Sequence, residues 1–170
     1  MGLISPFGTS FGRKHGGGVA LVEETLFANT DLVGLSENAV TQSSAFGGTL
    51  TTTGAWDVTQ VLFYIKHTGA SGNILARIHL AGGDNKPTGA ALATSSKLSS
   101  SISSSLGWVS FPFNSVSLSD STAYVFSIIM EDNESAGIAY NLNSSADPIL
   151  FYGPNVYDQY TAPLQVVGYA

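Results

Sequence analysis

Apolar and polar residues alternate with a period of two along most of this chain, which predicts half-buried β-strands. The clearest example covers residues 58–66, where Val61, Phe63 and Ile65 share one face. Turn-forming Gly, Pro and Asn residues separate it from further predicted strands. These cover residues 39–46, 74–80, 92–98, 109–113, 124–130, 138–142, 149–152 and 164–169.

The strands at 58–66 and 74–80 are predicted to form a hairpin across the turn at 68–72. Alternation then places Tyr64, Lys66, Arg77 and His79 on one outer face of two adjacent strands. Ordinary solvent exposure is the simpler interpretation of that face. In the second strand, the predicted inward residues are Ile74, Ala76, Ile78 and Leu80, and the outward ones are Leu75, Arg77 and His79.

Eight or nine short strands without a competing amphipathic helix predict an all-β fold, an antiparallel β-sandwich of jelly-roll type. Residues 19–35 are compatible with a short helix or an edge strand, and we expect extended structure there. Residues 82–87 form a predicted loop, and the serine run at 99–105 a polar connection. The predicted core is Trp56, Val61, Phe63, Ile65, Ile74, Ile78, Trp108, Phe111, Phe113, Tyr124, Phe126 and Ile128.

Residues 1–18 differ in composition from the rest of the chain and predict an extended, glycine-rich N-terminal arm. Phe7 and Phe11 stand isolated between Gly, Ser and Pro, and Arg13 and Lys14 precede three glycines. Such a segment has no partners of its own with which to bury its rings. We therefore expect these four residues to form an assembly arm that docks on another subunit, while residues 19–170 form a single sandwich domain.

Composition and charge narrow the function classes. The chain has 170 residues, a formal charge of −6 and only 11% charged residues, against about 25% in ordinary globular proteins. Its six basic residues are scattered, which argues against nucleic-acid binding because phosphate contacts require clustered Lys and Arg. No apolar run is long enough to predict membrane insertion, and the N-terminus does not predict a signal peptide. Without cysteine, disulfides and thiol chemistry are excluded.

The segment that begins at Trp56 carries a pattern of aromatic and turn residues. An aromatic opens a strand, a Pro-x-Gly-x-x-Leu-Ala loop follows, and Trp-Val-x-Phe-x-Phe and Leu-x-x-x-Thr-x-Tyr complete it. The matching positions are Trp56, Pro87, Gly89, Leu92, Ala93, Trp108, Val109, Phe111, Phe113, Leu118, Thr122 and Tyr124.

This pattern resembles a β-sandwich module described as choice-of-anchor R-like, which is seen in phage structural and tail proteins and in large bacterial surface proteins. The resemblance runs from Trp56 to Asp132, somewhat under half of the chain, within a module placed at about residues 39–132. It implies a scaffold similar to carbohydrate-binding jelly rolls, but no fixed activity and no ligand residues. The arm and the aromatic C-terminal strands at 149–170 lie outside the module. A single short unit favours the phage setting over the bacterial one.

The candidate catalytic residues do not form a recognisable set. His15, His67 and His79 are the available bases, and no Gly-x-Ser-x-Gly elbow accompanies them. The acids lie mostly in predicted loops, so no pair is indicated for glycoside hydrolysis. Residues 131–134 concentrate oxygen ligands but lack EF-hand spacing, and a solvated loop is the better interpretation. We expect no enzyme activity, no cofactor and no metal.

The most ligand-like segment follows residue 149. Tyr152, Asn155, Tyr157, Asp158 and Tyr160 combine flat rings with amide and carboxylate groups. Rings stack on sugar faces and the polar groups bond hydroxyls, so a glycan site is one interpretation. Tyrosine is equally suited to subunit interfaces, and we favour packing or an interface.

Together these features predict a non-enzymatic structural protein of a phage virion. It would be a capsid-decorating, head-fibre or tail-associated subunit that docks on other virion proteins through its arm and forms a homo-oligomer. The alternative is a carbohydrate-binding adhesion module that recognises a cell-surface glycan. Both roles can coexist, because many copies that each bind a host surface weakly can together attach to it.

Overall fold

The computed structural model describes residues 21–30, 32, 35–43, 45–69, 71–131, 136–141, 149–152, 155–161 and 163–170. For 35–38, 136–141, 149–152 and 155–161 it describes the backbone. The described residues contain twelve strands, one 3₁₀ turn at Ser99–Ser101 and no α-helix. The strands are β1 (Glu24–Asn29), β2 (Leu35–Val40), β3 (Phe46–Thr51), β4 (Trp56–Lys66), β5 (Asn73–Ala81), β6 (Pro87–Leu98), β7 (Gly107–Leu118), β8 (Ala123–Met130), β9 (Ala136–Asn141), β10 (Ile149–Tyr152), β11 (Asn155–Thr161) and β12 (Leu164–Tyr169).

The strands form two antiparallel sheets. Sheet one has the order β1-β12-β4-β7, and sheet two has the order β10-β3-β8-β5-β6, with β11 paired to β10. Strand β9 connects the two hydrogen-bond paths through short pairings only, at Ile65↔Ile138 and Lys66↔Gly137 with β4 and at Asn141↔Thr161 with β11. Strand β2 pairs along β9. The predicted all-β sandwich is therefore confirmed.

Four of the strand pairs are nested around the β5–β6 turn. Strand β5 pairs with β6, β4 with β7, β3 with β8, and β1 with β12. Successive pairs belong alternately to sheet two and sheet one, so a long antiparallel ribbon wraps around the core. One consequence is that β6 and β7, which are consecutive in the chain, are edge strands of opposite sheets.

Alternate residues from the two sheets fill the space between them. Sheet one contributes Val61, Phe63, Ile65 and Phe111, all at most 1% exposed. The rings of Phe63 and Phe111 meet edge to face, with centroids 6.0 Å apart at an interplanar angle of 76°, the geometry that aromatic quadrupoles favour. Sheet two contributes the buried residues Phe46, Ile74, Ile78, Phe126 and Ile128.

Most predicted core residues are buried, but Trp108 is not one of them. It lies half-buried on β7 beside Tyr64, on the outer face of sheet one. Phe113 is also half-buried, although it packs against the core. Leu80 was predicted to point inward and is 41% exposed, because β5 ends near it at the margin of the sandwich. Leu75 was predicted outward and is buried nevertheless.

Two strand predictions were wrong in ways that the sheets explain. The predicted strand at 39–46 is not one element, because its first two residues end β2, its last residue begins β3, and the chain between them connects the two strands. The predicted hairpin between 58–66 and 74–80 does not form, because β4 pairs with β7 and β12 whereas β5 pairs with β6 and β8. Strands β1 and β11 were not predicted as defined elements. The predicted arm at 1–18 lies outside the described residues.

Candidate functional site

The predicted site residues fall in three different places. Phe7, Phe11, Arg13 and Lys14 lie outside the described residues. The tyrosine-rich segment forms the β10–β11 hairpin, in which Tyr152 pairs with Asn155. Tyr157 pairs with Leu150 but Thr161 pairs with Ile149, so the residues between them, which include Asp158 and Tyr160, have no partner in the ladder with β10. The side chains of this hairpin are outside the described part, so the proposed aromatic patch stays a prediction.

The predicted platform of Tyr64, Lys66, Arg77 and His79 does not exist as one surface. Tyr64 and Lys66 alternate with buried residues on β4 in sheet one, whereas Arg77 and His79 do so on β5 in sheet two. Side chains that point out of opposite layers of a sandwich cannot converge on a ligand. This hypothesis was wrong because β4 and β5 are joined by a crossover between sheets.

His79 is more enclosed than its predicted outward position indicates. Burial, and next the positive charge of Arg77, lower the pKa of His79 below its ordinary value, while a backbone hydrogen bond with Gly89 raises it. Its Nδ1 is buried without a hydrogen-bond partner. Nearby, the Thr49 hydroxyl donates to the Asn85 carbonyl over 2.7 Å, which ties the β5–β6 turn to β3.

Both edge strands on one side of the sandwich carry bulges. On β6, Ala93 pairs with Ile78 but Thr88 pairs with Leu80, so the chain between them bulges out of register. On β7, Val116 pairs with Val58 and Pro112 with Gln60, which excludes residues 113–115 from the ladder in the same way. Gly89 and Ser115 have positive φ angles of 67° and 39°. Bulges bend a strand and redirect its side chains, and they are frequent beside binding sites.

These two bulged edges flank an open groove of about 750 Å³, within the range of about 300–1,000 Å³ that is usual for small-molecule sites. We call it the edge groove. It is lined by Leu92, Ala93, Thr94, Ser95, Pro112, Phe113, Asn114, Ser115, Val116 and Ser117. Leu92 is 49% exposed, and Phe113 and Val116 are half-buried against the core. The lining thus combines apolar surfaces with neutral hydroxyl and amide groups.

A smaller cavity of about 280 Å³ continues along the same two strands. Lys97 of β6 and Val109 and Ser110 of β7 line it, together with Ser101 and Ser103 of the connection between the strands. Lys97 supplies the positive charge at this end. The open side of the sandwich is therefore neutral over the edge groove and cationic beyond it.

Hydrogen bonds to strand β4 hold the chain just before β1. Carboxylate oxygens of Glu23 accept hydrogen bonds from the Thr59 hydroxyl and, over 3.5 Å, from the Gln60 amide. Gln60 in turn accepts a 2.8 Å hydrogen bond from Ser110. These contacts fasten the segment before β1 across sheet one. The adjacent Leu21 and Val22 are 41% and 79% exposed.

In the described ranges, no group of three or more His, Cys, Asp or Glu residues lies close enough to hold a metal ion. No described helix is long and apolar enough to cross a membrane.

Comparisons with protein-family models, with curated proteins and with solved structures found no match to this chain. The similarity to choice-of-anchor R-like modules thus stays a prediction from the motif residues.

The edge groove was missed at the sequence level, although the chain contains a signal for it. Phe113 was assigned to the core and Leu92 to the start of a regular strand. Pro112 cannot donate to a ladder, and proline in a strand indicates an edge or a bulge. The Pro87-Thr-Gly89 turn signal marks the second bulge. What the sequence does not show is that these two irregularities face each other.

Proposed function

We propose that this chain is a non-enzymatic structural protein of a phage virion, which docks through its N-terminal arm and oligomerises. Within the virion it would serve as a capsid-decorating, head-fibre or tail-associated subunit. The observation that carries the proposal is the nested strand pairing around the β5–β6 turn.

That pairing supports a jelly roll as the finer description of the sandwich. The orders β1-β12-β4-β7 and β3-β8-β5-β6 follow when an eight-stranded ribbon is rolled so that its pairs alternate between two sheets. Strands β2, β9, β10 and β11 are then additions to this ribbon. Jelly rolls recur in viral capsid proteins and in lectins. Since a fold does not imply a function, the docking part of the proposal needs separate support.

The segment before β1 supplies that support. Glu23 bonds the chain just before β1 to Thr59 and Gln60 of β4. Leu21 and Val22 expose apolar surface at the same point. Burying this surface against a neighbouring subunit would contribute about 25 cal/mol for each Å² removed from water. An arm that continues from this point would bring Phe7 and Phe11 to a neighbouring subunit.

The proposal is tested by the mass of the purified full-length protein in solution and by its incorporation into virus particles. Light scattering after size exclusion should show a homo-oligomer, and mass spectrometry of purified particles should detect the chain. A Phe7→Ser/Phe11→Ser variant should lose incorporation, and Leu21→Ser/Val22→Ser should weaken assembly.

Leu98→Ser is the matched control, because Leu98 is 50% exposed at the far end of β6. It should leave both assembly and incorporation unchanged. A monomeric protein that enters particles equally well with and without Phe7 and Phe11 would refute the proposal.

A further inference from the structure

We propose that the edge groove between β6 and β7 binds an uncharged oligosaccharide. This inference does not depend on a virion role, since the same groove would serve a decorating subunit or an adhesion module. It assigns the glycan site to the groove instead of the predicted tyrosine-rich hairpin.

The geometry argues against a peptide strand as the occupant. An added strand needs a regular row of free N–H and C=O groups along the edge. On β7 the row is interrupted by Pro112, which has no N–H, and by the bulge at 113–115. On β6 it is interrupted by the bulge that begins at Gly89. Both edges therefore oppose strand pairing while they leave the concave space between them open.

The residues that line the edge groove carry no charge, which favours a neutral ligand. None of the ten residues around the edge groove is Asp, Glu, Lys, Arg or His. An ionised ligand would lose hydration there without gaining an opposite charge. Lys97 lies beyond this region, in the smaller cavity.

The available side chains match the two kinds of surface that a sugar presents. Hydroxyls of Thr94 and Ser115 donate and accept hydrogen bonds, and the Asn114 amide does both with separate atoms. The Ser117 hydroxyl donates its proton to Asp57 and is left to accept from a ligand. Thr94, Asn114 and Ser115 are exposed to solvent and are accessible to a ligand. Leu92 and Phe113 offer apolar surface to the C–H faces of a pyranose ring.

The anchoring of these side chains favours a preformed site. Phe113 and Val116 pack against the core, and Ser117 donates a hydrogen bond to Asp57 on the neighbouring strand β4. Ser115 is held at a positive φ angle of 39°, which is uncommon for a residue with a side chain. The β7 side of the groove is therefore held in place and loses little conformational freedom on binding.

The experiment is a titration of the ¹⁵N-labelled full-length chain with neutral oligosaccharides built from glucose, galactose or mannose, each at millimolar concentration. At least one series should shift amide resonances that cluster at residues 89–95 and 113–117. Asn114→Ala and Leu92→Ser should each weaken that binding by about tenfold or more. Both residues are exposed, so these changes should leave the fold intact.

Thr51→Ala, on the exposed end of β3, is the control for a neutral surface substitution, and Tyr157→Ala tests the tyrosine-rich hairpin. Both should bind as the unmodified chain does. If Tyr157→Ala abolishes binding while Asn114→Ala does not, a glycan is bound elsewhere and the groove assignment is wrong. The proposal is likewise overturned if no oligosaccharide shifts these resonances, or if only charged glycans or extended peptides do. None of these results bears on assembly through the arm.

Discussion

Tyr64 and Trp108 are cross-strand partners on β4 and β7, and their rings meet edge to face with centroids 5.4 Å apart. The pair lies on the outer face of sheet one, although Trp108 looks like a core residue in the sequence. Phe111, three positions further along β7, is completely buried. Two aromatic residues of the same strand therefore have different energetic roles.

We expect Trp108→Ala to lower the free energy of unfolding by about 1–2 kcal/mol, because it removes the ring contact with Tyr64 and the partial burial of the indole. Phe111→Ala should cost about 3–5 kcal/mol, since it leaves a cavity between the sheets. Urea denaturation of both variants and of the unmodified chain measures the difference. Equal losses would place Trp108 in the core after all.

Tyr124 stabilises the turn that precedes β8. Its phenol oxygen accepts a 2.9 Å hydrogen bond from the backbone N–H of Ser119, and the side chain is only 4% exposed. Tyr124→Phe should reduce stability by about 1–2 kcal/mol, because a partly buried N–H loses its partner. Tyr169→Phe, at the half-buried end of β12, is the matched control and should cost less. Thermal unfolding followed by circular dichroism distinguishes the two.

Gly168 on β12 lies against the backbone of β4 with no room for a side chain. A Cβ at this position would stand 2.1 Å from the Asp57 carbonyl oxygen, so backbone must move to admit it. Gly168→Ala should therefore destabilise the fold by about 1–3 kcal/mol. Gly107→Ala is the control, because a Cβ there meets no atom within 4 Å, and its effect should stay within about 1 kcal/mol. A tolerated Gly168→Ala would contradict the close approach of the two strands.

The stability of the protein should depend on pH through His79. Its pKa is lower in the folded chain than the unfolded value of about 6.5. Between these two pKa values the unfolded chain binds more protons, so folding stability rises with pH and falls as the solution is acidified through 6.5.

We expect His79→Gln to flatten the slope of unfolding free energy against pH in this acidic window. His67→Gln, which removes the other histidine of the described ranges, is the control for a general effect of losing an imidazole. Urea titrations across the window provide the measurement. An unchanged slope in His79→Gln would mean that the imidazole keeps its ordinary pKa in the folded chain.

The local alternation of apolar and polar residues was sufficient to predict several strands. The alternation in 58–66 predicted β4 with its buried Phe63, and β12 was predicted at its observed bounds. Alternation reports burial on one face, and this property is local to each strand. The candidate site was not predictable in the same way. Pro112 and Gly89 each indicate an irregularity, but their relation depends on which strands become edges.

The sequence by itself determined the all-β character of the described residues, because period-two burial and frequent turn residues favour strands over helices along most of the chain. Only the tertiary structure decided which strands pair. It separated β4 from β5, moved Trp108 to an outer face and brought the bulges of β6 and β7 to the two sides of one groove. The physical reason is that strand pairing is non-local. Any two alternating strands can share a ladder, and the choice among them depends on how the whole ribbon closes around its core.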